Sequence, residues 1–216
     1  MCKTWAENLL KDVSTFYENF KEFNQEYGFA VFYSPIRLNP ELMIIGYNPG
    51  GDEKDFNKEE AMSIPEKHEY ITYKDDKDYK AAKNMYELFK RLNKTQLLEN
   101  SIKLNMIFFR TKNIAKWKEI NKKIRIEIEE YCFNKVKEII EKLKPRILLI
   151  EGIKTFDLFI DKIISERFHK SCKVECKKVN NKRILCKCSF DNIKVLGIIH
   201  PSHIIWEVEN YLKMEL

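Results

Sequence analysis

Glycine and proline are scarce, at six residues each in a chain of 216. Long flexible linkers are therefore not expected. No run approaches the ~20 apolar residues needed to span a bilayer, and Met1 to Leu10 carries charged residues and Trp5 where a leader would have an apolar core. A soluble, cytoplasmic protein is expected, with its six cysteines reduced. The chain has no G-x-x-x-x-G-K-[ST] or G-x-G-x-x-G loop, which argues against a nucleotide-handling enzyme on a doubly wound sheet. No internal repeat and no low-complexity tract is found.

What is present fits one domain over residues 1–216 with a sizeable core. Apolar residues make up 44% and aromatics 12%, a globular composition rather than a disordered one. The formal charge of +6 is compatible with a nucleic-acid partner. Its distribution is uneven. Asp52 to Lys80 holds ten acids against six lysines, a local excess of four negative charges, so the rest of the chain carries about +10.

Trp5, Leu9, Val13, Phe16, Phe20, Phe23 and Tyr27 recur at spacings of three and four, which predicts one long amphipathic helix stopped by Gly28. Phe29 to Tyr33 reads as a short edge strand. Leu42 to Tyr47, Ile102 to Phe109, Arg146 to Ile150 and Ile193 to Ile199 are apolar runs of the kind buried in a parallel sheet. Helices are expected over Lys83 to Leu92, from Ile124 to Leu143 before Pro145, and from Thr155 to Ile164. Lys173 to Val179 and Arg183 to Phe190 resemble a hairpin around Asn180-Asn181. Ser202 stands where it would cap a last helix ending near Leu216. Strands alternating with helices predict an α/β fold, three layers (αβα) around a mostly parallel four-stranded sheet. The polar segment from Asp52 to Lys80 is long enough to be functional or partly disordered.

Three polar points fall at or near the ends of apolar runs. They are Gly46-Tyr47-Asn48-Pro49-Gly50-Gly51, Asn105 within Leu104 to Phe109, and His200-Pro201-Ser202 after Leu196 to Ile199. Singly, the first is a turn sequence, because proline presets φ and glycine supplies positive φ. An asparagine in a strand and a histidine after one each have ordinary structural uses.

In this order the three resemble the uracil-DNA glycosylase superfamily, over roughly Leu42 to Trp206. The first loop resembles its water-activating motif in the G-x-N-P-G form of the mismatch-specific and single-strand-selective monofunctional enzymes. Tyr131 to Gly152 resembles its helix-then-strand segment. The resemblance implies a uracil-DNA-glycosylase-like fold and a monofunctional DNA glycosylase that hydrolyses the N-glycosidic bond of a flipped uracil or modified pyrimidine. Asn48 would orient the water, and His200 would donate a hydrogen bond to the base carbonyl where charge develops. Asn105 would read the base edge. Gly46, Tyr47, Pro49, Gly50 and Ser202 would complete the substrate site, with Gly51 and Arg110 reaching the sugar-phosphate. The ring stacked on the base would be Phe56, with Tyr70, Tyr73 and Tyr79 as competitors. His203 and Ile204, leading to Trp206, would either wedge into the duplex or form the first apolar turn of the last helix. No lysine stands where a Schiff base would form, so lyase activity is not expected.

No cofactor or metal is expected. Cys172, Cys176, Cys186 and Cys188 have spacings that match no C-x2-C zinc pair. The acidic segment departs from the enzymes compared. It is compatible with an unusual base or with a surface that recruits a protein partner. DNA is the expected macromolecular partner, with no membrane association and a monomeric state. The alternative is a catalytically silent nucleic-acid-binding module on the same fold. With about +10 outside the acidic segment, DNA affinity is expected to fall steeply as salt rises. A titration giving flat affinity from low to high salt would count heavily against a nucleic-acid substrate.

Overall fold

Leu42-Met43-Ile44-Ile45 is apolar at every position because a parallel strand covered on both faces buries every side chain. In the computed structural model, which describes residues 2–20, 27–51, 54, 56–203 and 206–216, this run is a wholly buried strand. The strands are β1 (Leu42–Gly46), β2 (Ile102–Asn105), β3 (Ile147–Glu151), β4 (Glu175–Val179), β5 (Lys182–Phe190) and β6 (Ile193–Ile198). They form one sheet in the order β2-β1-β3-β6-β5-β4. The pairs β1–β2, β1–β3 and β3–β6 are parallel, and β5 is antiparallel to both of its neighbours.

The sheet is therefore six-stranded and mixed, not the four-stranded sheet expected. The hairpin was legible in the sequence, but its attachment was not. Asn180 and Asn181 both take positive φ, 49° and 62°, as a tight turn matched to strand twist requires. β5 then pairs along β6 from Leu185–Ile198 to Phe190–Ile193. Cys176 and Cys186 face each other across β4 and β5 and are joined by a disulfide, which corrects the expectation that all the thiols are reduced. Cys172 and Cys188 are thiols with their Sγ atoms 2.6 Å apart.

The helices are α1 (Cys2–Glu18), α2 (Lys58–Ala61), α3 (Glu69–Thr72), α4 (Lys80–Arg91), α5 (Thr95–Glu99), α6 (Ile114–Glu119), α7 (Lys122–Leu143), α8 (Ile153–Phe159) and α9 (Glu207–Leu212). Successive strand residues point to opposite faces, and the core divides accordingly. Met43, Ile45, Leu104, Leu148 and Ile150 pack with α1, α7 and α8. Leu42, Ile44, Leu149, Leu196 and Ile198 pack with α4 and α9. Each such side chain, fully buried, contributes roughly 1.5–3 kcal/mol. Helices thus cover both faces of the sheet. None among the described residues is long and apolar enough to cross a membrane.

Several boundaries differ from expectation. α1 ends at Glu18, short of the predicted stripe. Phe23 lies outside the described residues, and Tyr27 is buried without being helical. Phe29 to Tyr33 makes only two isolated antiparallel bridges, Phe29–Phe109 and Phe32–Leu104, along the outer edge of β2. α8 begins at Ile153 and passes into a π-helical turn, Ile160–Ser165. Ser202 lies in a 3-10 turn, Pro201–His203, while α9 starts only after Trp206 and has no side-chain cap.

The segment from Asp52 to Lys80 contains two short capped helices. Asn57 accepts from the amides of Glu59 and Glu60 at the start of α2. His68 accepts from the Tyr70 amide at the start of α3. His68 is buried, with Nδ1 on the Tyr70 N–H at 3.1 Å and Nε2 3.0 Å from Ser101 Oγ. Ser101 Oγ donates to the Leu98 carbonyl, so His68 Nε2 supplies the proton and the ring is neutral. Burial, with Lys103 and Arg37 nearby, lowers its pKa to about 3. Between pH 6.5 and about 3 the unfolded chain takes up a proton that the folded chain refuses. Stability is therefore full above about 6.5 and declines as pH falls through that window. Urea unfolding across the window should show this decline in the wild type and a shallower one in His68→Gln.

Candidate functional site

In open α/β sheets the ligand crevice lies beyond the carboxyl ends of the strands, where the chain crosses to either side of its first strand. Here β1 lies between β2 and β3. The Asn48 loop leaves β1 at that point. The chain after β2 braces it from below, with Met106 N–H on the Gly46 carbonyl, Ile107 N–H on Tyr47 and Thr111 N–H on Pro49, at 2.8, 2.8 and 3.2 Å.

Thr111 also fixes the Asn48 amide. Asn48 Nδ2 donates to Thr111 Oγ1 at 2.9 Å and to the Pro49 carbonyl at 3.4 Å, and Thr111 Oγ1 donates onward to the Asn113 carbonyl. With the NH2 end engaged, Oδ1 is the end of the amide left to accept. Arg110 closes the same loop. Its Nε donates to the Gly50 carbonyl at 3.3 Å, and a Cβ on Gly51 would lie 1.9 Å from its guanidinium. Gly51 also takes φ +133°, so glycine is required there twice over.

Gly46 meets a second constraint. It is in register with Asn105, and a Cβ at Gly46 would lie 2.1 Å from Asn105 Oδ1 and 3.1 Å from Glu151 Oε2. The motif glycine thus leaves room for two buried polar side chains at the ends of β2 and β3. Ile44, Lys103 and Leu149 share that face by strand alternation.

Around them lies a buried ionic cluster. Lys103 Nζ meets Glu69 Oε2 at 2.6 Å and lies over the rings of Tyr33 and Tyr70 at 4.6 and 4.7 Å. Tyr70 Oη donates to Glu151 Oε1, and Tyr79 Oη donates to Glu69 Oε1 at 2.8 Å. Burial pushes the Glu151 carboxyl above the usual carboxylate range, against the pull of Lys103 and Tyr70. Burial alone would lower the Lys103 pKa, but Glu69 and Glu151 outweigh it and raise it. Tyr70 and Tyr79, named above only as stacking competitors for Phe56, serve this cluster; Tyr73 is exposed.

The His200 loop leaves β6. Ser202 N–H donates to His200 Nδ1 at 3.3 Å, and Ser202 Oγ lies 2.7 Å from the same nitrogen. A nitrogen that accepts from an amide carries no proton, so the neutral ring holds its hydrogen on Nε2. Partial desolvation, then His203 and Lys103, lowers the His200 pKa and favours that neutral form. Asn84 of α4 anchors the loop through the Pro201 carbonyl at 2.8 Å.

Not every candidate joins these groups. Phe56 packs over Gly28 and against Tyr17 and Phe29, with ring centroids 5.9 Å away in both cases. The Tyr47 hydroxyl turns to the opposite face, near Trp117, Glu129 and Arg125, and burial raises its pKa to about 12. Ser202 spends both its amide and its hydroxyl on His200. His203 is exposed, Ile204 lies outside the described residues, and Trp206 is held under Arg91 at 4.0 Å. Sequence reasoning did not single out Thr111, Lys103 or Glu151. A charge at the end of Leu148-Leu149-Ile150-Glu151, and a lysine between Ile102 and Leu104, were the available signals. Thr111 had none. Among the described residues no group of three or more His, Cys, Asp or Glu side chains is placed to hold a metal ion.

No protein-family model matches the chain, and no curated protein matches it. The site therefore rests on its own geometry. His200 is expected to titrate below its ordinary 6.5, read by the ring NMR shifts over an acid titration. His203→Ala should move that pKa upward, and an unchanged His200 titration in this variant would contradict the contribution assigned to His203 beside that of desolvation.

Proposed function

We propose that this protein is a monofunctional DNA glycosylase, hydrolysing the N-glycosidic bond of a flipped uracil or modified pyrimidine on a uracil-DNA-glycosylase-like α/β fold. The proposal rests above all on the His200 ring, held with its proton on Nε2 by the Ser202 amide. A neutral imidazole with its one N–H on Nε2 is the donor needed by a carbonyl oxygen that gains negative charge. Support also comes from Asn48, whose amide is tied at the nitrogen end by Thr111. Its carbonyl is thereby presented to a water.

In the reaction the C1′–N bond breaks and its electron pair leaves with the base. The sugar passes through an oxocarbenium-like state, and the water oxygen bonds to C1′. The water's proton neutralises the departing base anion. Asn48 cannot take up that proton near neutral pH, so it orients the water rather than activating it. The cation at C1′ needs little more, and a modest turnover follows. His200 lowers the barrier by stabilising the anion, and Asn105 holds the base edge. Arg110, folded over Gly50 and Gly51, is a cation held on the water-positioning loop and would meet the backbone phosphate. Flipping the base out of the stack precedes all of these steps.

Base release tests the proposal. Oligonucleotides carrying uracil, mismatched thymine and modified pyrimidines would be incubated with the protein, then cut at abasic sites with alkali. Cleavage of at least one substrate is expected, with the rate reduced about 10²–10³-fold by His200→Ala and sharply by Asn48→Ala. DNA binding without cleavage of any substrate would favour the silent binding module instead.

A further inference from the structure

Asn105 and Glu151 are each about nine-tenths buried or more, at 5% and 4% exposure. Both turn an acceptor toward the face of Gly46. Asn105 Oδ1 and Glu151 Oε2 crowd the small volume that a Cβ at Gly46 would fill. The Tyr33 hydroxyl lies beside the Asn105 side chain. Tyr70 is spent on the other carboxylate oxygen, Oε1, and Lys103 is spent on Glu69. Two acceptor oxygens turned to one face repel one another and are best met by a donor that reaches both.

Position says where that donor comes from. The pair lies at the carboxyl ends of β2 and β3, on either side of the strand that leads into the Asn48 loop. Uracil attached to a sugar offers one ring N–H on its pairing edge. A pyrimidine with an exocyclic amino group offers two N–H bonds from a single nitrogen, one for each oxygen. Carboxylates accept from the cytosine amino group in the same way when proteins read duplex DNA.

We propose that Glu151 and Asn105 together select a pyrimidine bearing an exocyclic amino group over one bearing a carbonyl at that position. This deepens the glycosylase assignment and rests on it for the identity of the ligand as a base. Tyr70 acts as a positioning residue, since its hydroxyl holds Glu151 Oε1 and leaves Oε2 directed at Gly46. The acidic segment then has a use: it delivers α3, and with it Tyr70 and Glu69, onto the strand ends.

The test uses single-stranded oligonucleotides that differ at one position, carrying uracil, cytosine or a 5-substituted cytosine. Base release and equilibrium binding by fluorescence anisotropy are both measured, for wild type and Glu151→Gln. Wild type should favour the amino-bearing bases in rate or affinity. Glu151→Gln keeps the shape but adds a donor, so the ratio of amino-bearing to uracil should fall at least about tenfold. A wild-type preference for uracil in both measurements overturns the inference, whether or not the variant folds. So does a ratio left unchanged by the substitution. If no oligonucleotide loses its base, the hydrolase assignment fails separately, and the binding ratio still decides the role of Glu151.

Discussion

Lys103 enters the sheet between Ile102 and Leu104 with its side chain 4% exposed. An ammonium taken out of water alone costs several kcal/mol, so it must be met by a carboxylate or lose its charge. Glu69 meets it at 2.6 Å, and much of the site follows from that contact. Glu69 opens α3, so the pair draws the long acidic segment down over the ends of the strands. Tyr33 and Tyr70 then lie under the ammonium, where ring faces add to its stabilisation. Tyr70, brought in by the same turn, reaches Glu151. His68, one residue before Glu69, fixes the start of α3 through Tyr70 and Ser101. A segment that would otherwise be a loop becomes a wall, because one buried charge has to be neutralised.

The two motif loops are held by a different means. Each depends on a neighbouring group that uses up one end of a polar side chain and so defines the other. Thr111 takes the nitrogen of Asn48, and Ser202 takes Nδ1 of His200. In both cases a side chain with two faces is made to present one. Hydrogen bonding of this kind preorganises a site before any ligand arrives, which is where electrostatic catalysis gains most. The glycines act by subtraction. Gly46 leaves space for Asn105 and Glu151, and Gly51 leaves space for Arg110.

Where sequence reading succeeded, the physics was local. The runs expected as strands at Leu42 to Tyr47, Ile102 to Phe109, Arg146 to Ile150 and Ile193 to Ile199 hold β1, β2, β3 and β6, with β2 stopping at Asn105, because burial on both faces favours apolar runs. The turn at Asn180-Asn181 was readable because few residues tolerate positive φ. Where it failed, the deciding force was distant. The helical stripe from Trp5 to Tyr27 gave no sign that α1 stops at Glu18. Ser202 has the chemistry of a helix cap, but a histidine two residues away competes for its hydroxyl and amide. Phe56 has the chemistry of a stacking ring, yet Gly28 offers it a flat backbone and two aromatic neighbours.

By itself the sequence determined an α/β sheet, the loops that follow its strands and the residue types Asn48, Asn105 and His200 that those loops and strand ends carry. Periodicity and turn chemistry are properties of neighbours in the chain, so they survive in one dimension. Only the tertiary structure decided that the hairpin joins the sheet to make six strands, that Cys176 meets Cys186, and that Lys103, Glu69, Tyr70 and Glu151 converge. Those outcomes depend on groups tens of residues apart finding one another. Glu69 and Lys103 are charged residues like many others in the sequence, and nothing in either position reveals that burial will make each indispensable to the other.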